Sequence, residues 1–275
     1  MSGNEARPWY SIRLPPIWPW ACYAALNVGL AIHSLSFSPE NVDWQLWTQL
    51  PAAIAADEVY EINPGLPFVW SPVAAWLMAG VSFLGYGTWV AAHAAVVLLL
   101  DRRMMAVTLL SWPFWVDAAL GNTVIFAFVA GILALRGNRP AGVAYLALFL
   151  LIPRPLHAPL ALWLLWKQPV LRWPFGALFV VHAALVLLSG DAVEWIDSAI
   201  EYGRVVHSVG PPAWFGVWWF AAALFVAPWL ILRGHVGIAG LLVSPYWLPY
   251  YLFWPLIDLR HARWSDTERT TARIA

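Results

Sequence analysis

Apolar runs follow one another through almost the whole chain, and few charges interrupt them. Of the 275 residues, 61% are hydrophobic and only 11% are charged, whereas about a quarter of the residues in an ordinary soluble domain carry charge. An ionisable side chain at the centre of a membrane helix costs roughly 2.5–3.5 kcal/mol. The sequence therefore predicts an integral membrane protein, with its few charges in loops or at functional positions.

The expected fold class is all-α, a polytopic membrane protein with about nine or ten transmembrane or re-entrant helices. Segment 67–86 contains prolines and glycines, so it could either span the membrane or enter and leave on one side. The remaining candidate segments are 16–35, 88–100, 104–119, 121–136, 140–153, 155–168, 173–189, 212–233 and 236–257. We expect one helical domain over residues 1–258 and a polar C-terminal tail over 259–275.

Basic residues cluster between the apolar runs, which sets an orientation because cytoplasmic loops favour Lys and Arg. The clusters at 102–103, 136–139 and 167–172 are expected in the cytoplasm. The acidic loops 36–66 and 190–211 then face the outside.

The C-terminal tail is also basic and should be cytoplasmic. This requires either that 236–257 forms a hairpin or that 67–86 spans, and the sequence leaves both open. In the outer loops, apolar residues recur at helical spacing over 42–56 and 192–206. Both are predicted to be interfacial helices.

Polar side chains that could support chemistry collect on the outer face in this orientation. An acid that removes a proton from a hydroxyl and an arginine that binds phosphate suit group transfer from a lipid phosphate. The catalytic candidates are Asp43, Asp57 and Glu58, and the substrate-binding candidates are Asp117, Asn122, Arg154, His157, Arg204 and His207.

Structural roles compete with these assignments. Asp43 could cap the helix over 42–56, and the pair 57–58 could be solvated loop acids. Asp117 could cap the following helix or pair with Arg154, which could instead reach lipid headgroups. His157 and His207 could be polar neighbours of the site.

Several other classes of function are disfavoured by composition. No histidine or carboxylate spacing indicates a metal site, and the single Cys22 excludes an intramolecular disulfide. Acidic and basic residues are equal in number, 15 each, so no net field favours nucleic acid.

Six stretches occur in the order NVDWQLW, ADEVYEINPGLPFVWSPVAAWL, GNTVIFAFVAGILALRG, IPRPLHAPLALWLLWKQP, WIDSAIEYGRVV and LLVSPYWLPYYLFW. In this order the chain resembles the polytopic C-type glycosyltransferases. It is most similar to the polyprenyl-phosphate-mannose-dependent mannosyltransferases of bacterial envelopes. The resemblance covers about residues 16–257.

The resemblance implies a multi-spanning enzyme of the cell membrane with its active site on the extracytoplasmic side. It implies a polyprenyl-phosphate sugar donor, with mannose as the expected sugar, a glycan or glycolipid acceptor, and no cofactor. By motif, Asp43 matches the catalytic carboxylate of the first outer loop, and Arg154 matches the basic residue near the donor phosphate. Arg204 is expected to help Arg154 stabilise the departing lipid phosphate. The alternatives are a lipid or small-molecule transporter or flippase, and a non-catalytic membrane scaffold.

Overall fold

Helices make up all the regular structure of the described residues, which are 42–62, 68–205, 211–245 and 247–262 of a computed structural model. The all-α prediction is confirmed for this part of the chain, where no strand occurs. The α-helices are α1 (Val42–Ala56), α2 (Pro72–Ser82), α3 (Tyr86–Val97), α4 (Arg102–Leu109), α5 (Trp112–Leu120), α6 (Val124–Leu135), α7 (Arg139–Leu151), α8 (Ala158–Lys167), α9 (Arg172–Ser189), α10 (Ala192–Val205), α11 (Pro211–Phe215), α12 (Val217–Leu232) and α13 (Val236–Val243). The 3₁₀ helices are Val59–Glu61, Pro155–His157, Pro169–Leu171 and Pro249–Ala262.

Prolines and glycines divide apolar runs that we predicted to be single helices. Segment 104–119 is split into α4 and α5 just before Pro113, which occupies the first turn of α5. Segment 212–233 is split at Gly216, whose φ of 52° favours glycine. Segment 236–257 also forms two elements, as in the hairpin alternative left open for it, whereas segments 104–119 and 212–233 are not the single helices that were expected.

Segment 67–86 and the run after it form the bent pair α2 and α3. Their axes meet at 108° across a short break that contains Gly85, with a φ of 79°. Residues 63–67 lie outside the described part of the chain.

Length and hydropathy single out one described helix that could cross a membrane, Pro169–Ser189. A second candidate arises if the bent pair of α2 and α3 counts as one span. Three further apolar helices, α6, α7 and α12, are shorter. The number of spans therefore stays a prediction, and the candidate span 16–35 lies outside the described residues.

The helices α6, α7 and α8 run antiparallel to one another, which gives this helical unit two opposite ends. The Asp101 carboxylate binds Arg136 at the end of α6, and Gln168 Nε2 donates to Ala134 O at 2.7 Å. These contacts gather the three predicted cytoplasmic clusters at one end, which we call the basic end (Arg102, Arg103, Arg136, Arg139, Lys167 and Arg172). The other ends of these helices lie about 18 Å away, the length of the 12-residue α6.

Both predicted outer helices form where the periodicity placed them. The range of α1 matches the prediction, and α10 matches it to within a residue, with residue 206 outside the described part. α1 buries Trp44, Trp47 and Leu50 on one face. The location of α1 and α10 at a membrane interface stays a prediction.

α13 packs tightly on the last 3₁₀ helix. Asp258 accepts hydrogen bonds from Gly237 N at 2.9 Å and Ile238 N at 2.7 Å, so its carboxylate caps the first turn of α13. A Cβ on Gly237 would lie 2.7 Å from Trp254 O. The two elements therefore form a hairpin, which is one of the two alternatives left open for 236–257.

Candidate functional site: an asparagine between a carboxylate and an arginine

The side-chain amide of Asn122 joins Asp43 to Arg154. Asn122 Nδ2 donates to Asp43 Oδ2 at 2.7 Å, and Arg154 Nη2 donates to Asn122 Oδ1 at 2.8 Å. Thr123 N also donates to the same Oδ1, at 2.7 Å. The three predicted site residues come from distant parts of the sequence and form one hydrogen-bonded series at the end of α6 and α7 opposite the basic end.

Gly121 brings α1 close enough for this contact. It ends α5 with a φ of 79°, a left-handed conformation that favours glycine. A Cβ at Gly121 would lie 2.9 Å from Trp44 Cβ. The absence of a side chain therefore lets the first turn of α1, which contains Asp43, approach the turn that contains Asn122.

Arg154 lies in the short connection between α7 and the 3₁₀ helix at Pro155, and its residue is only 8% exposed. Its Cζ atom lies 5.7 Å from the ring centroid of Tyr250 and 5.6 Å from that of Tyr251. Cations are attracted to aromatic faces at such distances. The two tyrosines were not predicted from sequence, although they lie in the last of the six stretches of family resemblance.

The Asp43 carboxyl group binds its proton more tightly than an ordinary aspartic acid. Burial raises its pKa to about 6, and the nearby Asp117 carboxylate adds to the rise. The positive charge of Arg154 and the hydrogen bond from Asn122 act in the opposite direction. A pKa near 6 suits a base that works close to neutral pH.

Asp117 is fully buried beside the hydrogen-bonded residues Asp43, Asn122 and Arg154, and its contacts fit a helix cap. Its Oδ2 accepts a hydrogen bond from Ile125 N in the first turn of α6, at 2.9 Å. His93 Nε2 lies 3.9 Å from the same oxygen. Of the two roles weighed for Asp117, these contacts favour the cap over a direct pair with Arg154.

Three side chains of α3 lie within hydrogen-bond distance of backbone carbonyls of residues 119–122, and sequence reasoning missed all of them. Tyr86 Oη donates to Ala119 O at 2.8 Å, and Trp89 Nε1 donates to Gly121 O at 2.9 Å. His93 Nε2 lies 2.8 Å from Asn122 O, and its Nδ1 lies 2.9 Å from Trp89 O. A neutral imidazole has one N–H, and in the tautomer that carries it on Nε2 the ring donates to Asn122 O. The available signal was His93 itself, an ionisable residue alone in an apolar run.

His157 lies in the core next to the Arg154 connection. Its ring stacks on Trp254 with centroids 4.8 Å apart and planes 28° apart. Within the described part of the chain neither ring nitrogen has a hydrogen-bond partner, and the residue is 3% exposed. These contacts favour a packing role over direct contact with substrate.

Asp57 and Glu58 are not part of this chain of contacts. They follow the far end of α1 and are exposed, about 20 Å along the helix from Asp43. The interpretation as solvated loop acids fits this position better than a catalytic one. His207 and the side chain of Arg204 lie outside the described residues.

The residues that the structure describes contain no group of three His, Cys, Asp or Glu side chains that could hold a metal ion. The chain matched none of the protein-family models, curated proteins or solved structures with which it was compared.

Proposed function

We propose that this protein is a polytopic membrane glycosyltransferase of the C type. In this proposal it moves a sugar, with mannose as the expected one, from a polyprenyl-phosphate donor to a glycan or glycolipid acceptor. Asp43 acts as the general base, Arg154 stabilises the leaving phosphate, and Asn122 fixes the distance between these two side chains. Transfer takes place at the extracytoplasmic face of the cell membrane.

Uncovered apolar side chains support membrane insertion. On α9, Trp173 is 85% exposed and Leu188 is 81% exposed, and on α12 Phe225 is 81% exposed. Soluble monomers rarely expose large contiguous apolar patches. On α10, Val193, Ile196 and Ile200 are also exposed, as expected for a helix that lies in the membrane interface.

The separation of the basic end from Asn122 supports the proposed orientation. Cytoplasmic loops are rich in Lys and Arg, and the basic end contains six such residues. Asn122 precedes α6 and Arg154 follows α7, at the ends of these helices that lie away from the basic end. Asp43 of α1 binds Asn122 there. With the basic end in the cytoplasm, these three residues are directed toward the outer leaflet.

The proposed reaction needs only a base and a stabilised leaving group. Asp43 takes the proton of the acceptor hydroxyl, and the hydroxyl oxygen forms a bond to the anomeric carbon. The bond from that carbon to the phosphate oxygen breaks, and its electron pair leaves with the polyprenyl phosphate. The guanidinium of Arg154 stabilises the charge that develops on the phosphate.

The observation that carries the proposal is the shared amide of Asn122, which accepts from Arg154 and donates to Asp43. A base and a cation held by one rigid group keep a fixed separation, and such positioning is a large part of catalysis by proximity.

The test is sugar transfer in liposomes that contain the purified protein, a radiolabelled polyprenyl-phosphate mannose and a glycolipid acceptor. Asp43→Asn should lower transfer by about 10²–10⁴-fold, the usual contribution of a general base. It should keep the fold, because the asparagine oxygen can still accept from Asn122. Arg154→Ala should lower transfer strongly, and Arg154→Lys should restore part of it because charge without the planar fork remains.

Asp57→Asn is the matched control, since it makes the same chemical change at the exposed end of α1. Asp57 has a φ of 63°, which asparagine tolerates well. This variant should transfer at the wild-type rate. Full transfer by Asp43→Asn would remove the base from the mechanism, and lipid movement across the bilayer without sugar transfer would favour the flippase alternative.

A further inference from the structure

One face of α3 holds the turn that contains Asn122. Tyr86, Trp89 and His93 are spaced by three and four residues, so they project from the same side of the helix. We call them the α3 donor face. Their side chains lie 2.8, 2.9 and 2.8 Å from the carbonyl oxygens of Ala119, Gly121 and Asn122. The donor of His93 is Nε2–H, in the tautomer that leaves Nδ1 without a proton beside Trp89 O.

These carbonyls lie at the end of α5 and in the turn that follows, where helical backbone acceptors lose their own partners. Trp89 and His93 are buried, at 9% and 0% exposure. Each bond is therefore shielded from water, and losing a donor there leaves a carbonyl without its side-chain partner. The aromatic ring of Phe126 also packs on Trp89, with centroids 4.9 Å apart.

We propose that the α3 donor face positions Asn122, and through Asn122 sets the contact between Asp43 and Arg154. Tyr86, Trp89 and His93 are positioning residues in this proposal, since they reach the site only through the backbone of residues 119–122. The proposal rests on the proposed function only for its effect on transfer rate, because the position of Asn122 can be followed without turnover.

The pKa of the Asp43 carboxyl group depends on the position of the Asn122 side chain. The hydrogen bond from Asn122 lowers its pKa, against the larger effect of burial. The other groups that act on Asp43 are Arg154, from the connection after α7, and Asp117, from α5. Tyr250, from the last 3₁₀ helix, is also close enough to interact with it. If the turn shifts, the bond from Asn122 weakens and Asp43 should bind its proton more tightly.

The experiment is an infrared titration of the Asp43 carboxyl group in the full-length protein in liposomes, with Asp43→Asn as the spectrum that identifies its band. The variants are Trp89→Phe, His93→Leu and His93→Gln. Trp89→Phe removes the indole N–H but keeps a ring. His93→Gln keeps a donor at a similar reach, whereas His93→Leu keeps only bulk.

Trp47→Phe is the matched control. Trp47 is a buried indole in the same cluster, with its ring centroid 5.2 Å from that of Trp89. The substitution removes the same volume as Trp89→Phe and should lower stability to a similar degree. It should leave the midpoint of Asp43 where it is in the wild type.

We expect Trp89→Phe and His93→Leu to raise the midpoint by about half to one pH unit, the equivalent of one hydrogen bond, with His93→Gln close to wild type. In the transfer assay, the same two variants should lower kcat more than they change KM for the donor. An unchanged midpoint in both, or an equal shift in Trp47→Phe, would overturn the positioning role. A protein with no transferase activity whose Asp43 midpoint shifts as expected would refute the proposed function alone.

Discussion

Gly121 lies so close to Trp44 that no methyl group fits between them. A Cβ at Gly121 would lie 2.9 Å from Trp44 Cβ and 3.3 Å from Trp44 N. The residue before Trp44 is Asp43, and the residue after Gly121 is Asn122. The hydrogen bond between those two side chains therefore depends on a glycine next to it.

Gly121→Ala should destabilise the protein and weaken the bond from Asn122 to Asp43. The substitution adds a clash with Trp44 to the strain of a positive φ, 79° at this position. Strain of this kind costs about 1–3 kcal/mol, and crowding in a packed region adds a similar amount. Chemical unfolding in detergent measures the loss.

Gly137→Ala is the control for Gly121→Ala. Gly137 has a φ of 84°, but nothing lies within 4 Å of the position of its Cβ. It should show the backbone cost without the clash, and equal losses in the two variants would contradict the close approach of Trp44.

The rate of sugar transfer should depend on pH with an acid limb near pH 6. Asp43 acts as a base only when ionised, and burial raises its pKa to about 6. Below that value kcat/KM for the acceptor should fall about tenfold per pH unit, and above it the rate should level off. Initial rates between pH 4 and 8 test this, and a flat profile in the wild type would exclude Asp43 as the base.

The stability of the folded protein should fall as pH rises, whereas the transfer rate should rise, and both effects come from ionisation of Asp43. The folded-state pKa of Asp43 lies above its ordinary value of 3.8, so protonation favours the folded protein. The resulting stability is fully present below pH 3.8 and is lost as pH rises through about 6. The melting temperature of the wild type relative to Asp43→Asn should therefore fall across this window.

Asp258→Ala should destabilise α13 by about 1–2 kcal/mol, because it removes the acceptor of two backbone N–H groups in its first turn, one of them buried. Asp258→Asn keeps one acceptor oxygen and should lose less. Unfolding by denaturant gives the two values, with Asp197→Ala as a control on an exposed acid of α10. A loss no larger than that of the control would show that the cap contributes little.

Single cysteines should report the two ends of the molecule from opposite sides of the membrane. In a Cys22→Ala background, Arg139→Cys at the basic end should react with an impermeant maleimide only after the cells are opened. Asp197→Cys on α10 should react in intact cells. Reaction of Arg139→Cys from outside would reverse the proposed orientation.

The sequence singled out Arg154 because it interrupts an apolar run, and Asp43 because it lies in an acidic outer loop and matches the family motif. Asp43 and Arg154 were named as partners at one site, and they share Asn122. The helical periodicity of 42–56 and 192–206 was sufficient to define α1 and α10. The break before Pro113 was also readable in principle, because proline favours the first turn of a helix.

The α3 donor face could not be predicted in the same way. Its acceptors are backbone carbonyls, and every residue carries one, so such a bond leaves no trace in the identity of the acceptor. Hydropathy gave the extent of the apolar runs but not the 108° bend between α2 and α3. The role of Tyr250 and Tyr251 beside Arg154 depends on how distant segments pack, which no local pattern records.

The amide of Asn122 has two unlike edges, and each faces the charge that matches it. Its amino edge faces the Asp43 carboxylate, and its oxygen faces the Arg154 guanidinium. Turned by 180°, the same group would set oxygen against carboxylate and amino hydrogens against guanidinium. Aspartate has nearly the same shape as asparagine but has no amino edge, so at this position it would oppose Asp43 with like charge. The position thus selects for polarity rather than for size, and it distinguishes two side chains that differ by one atom type.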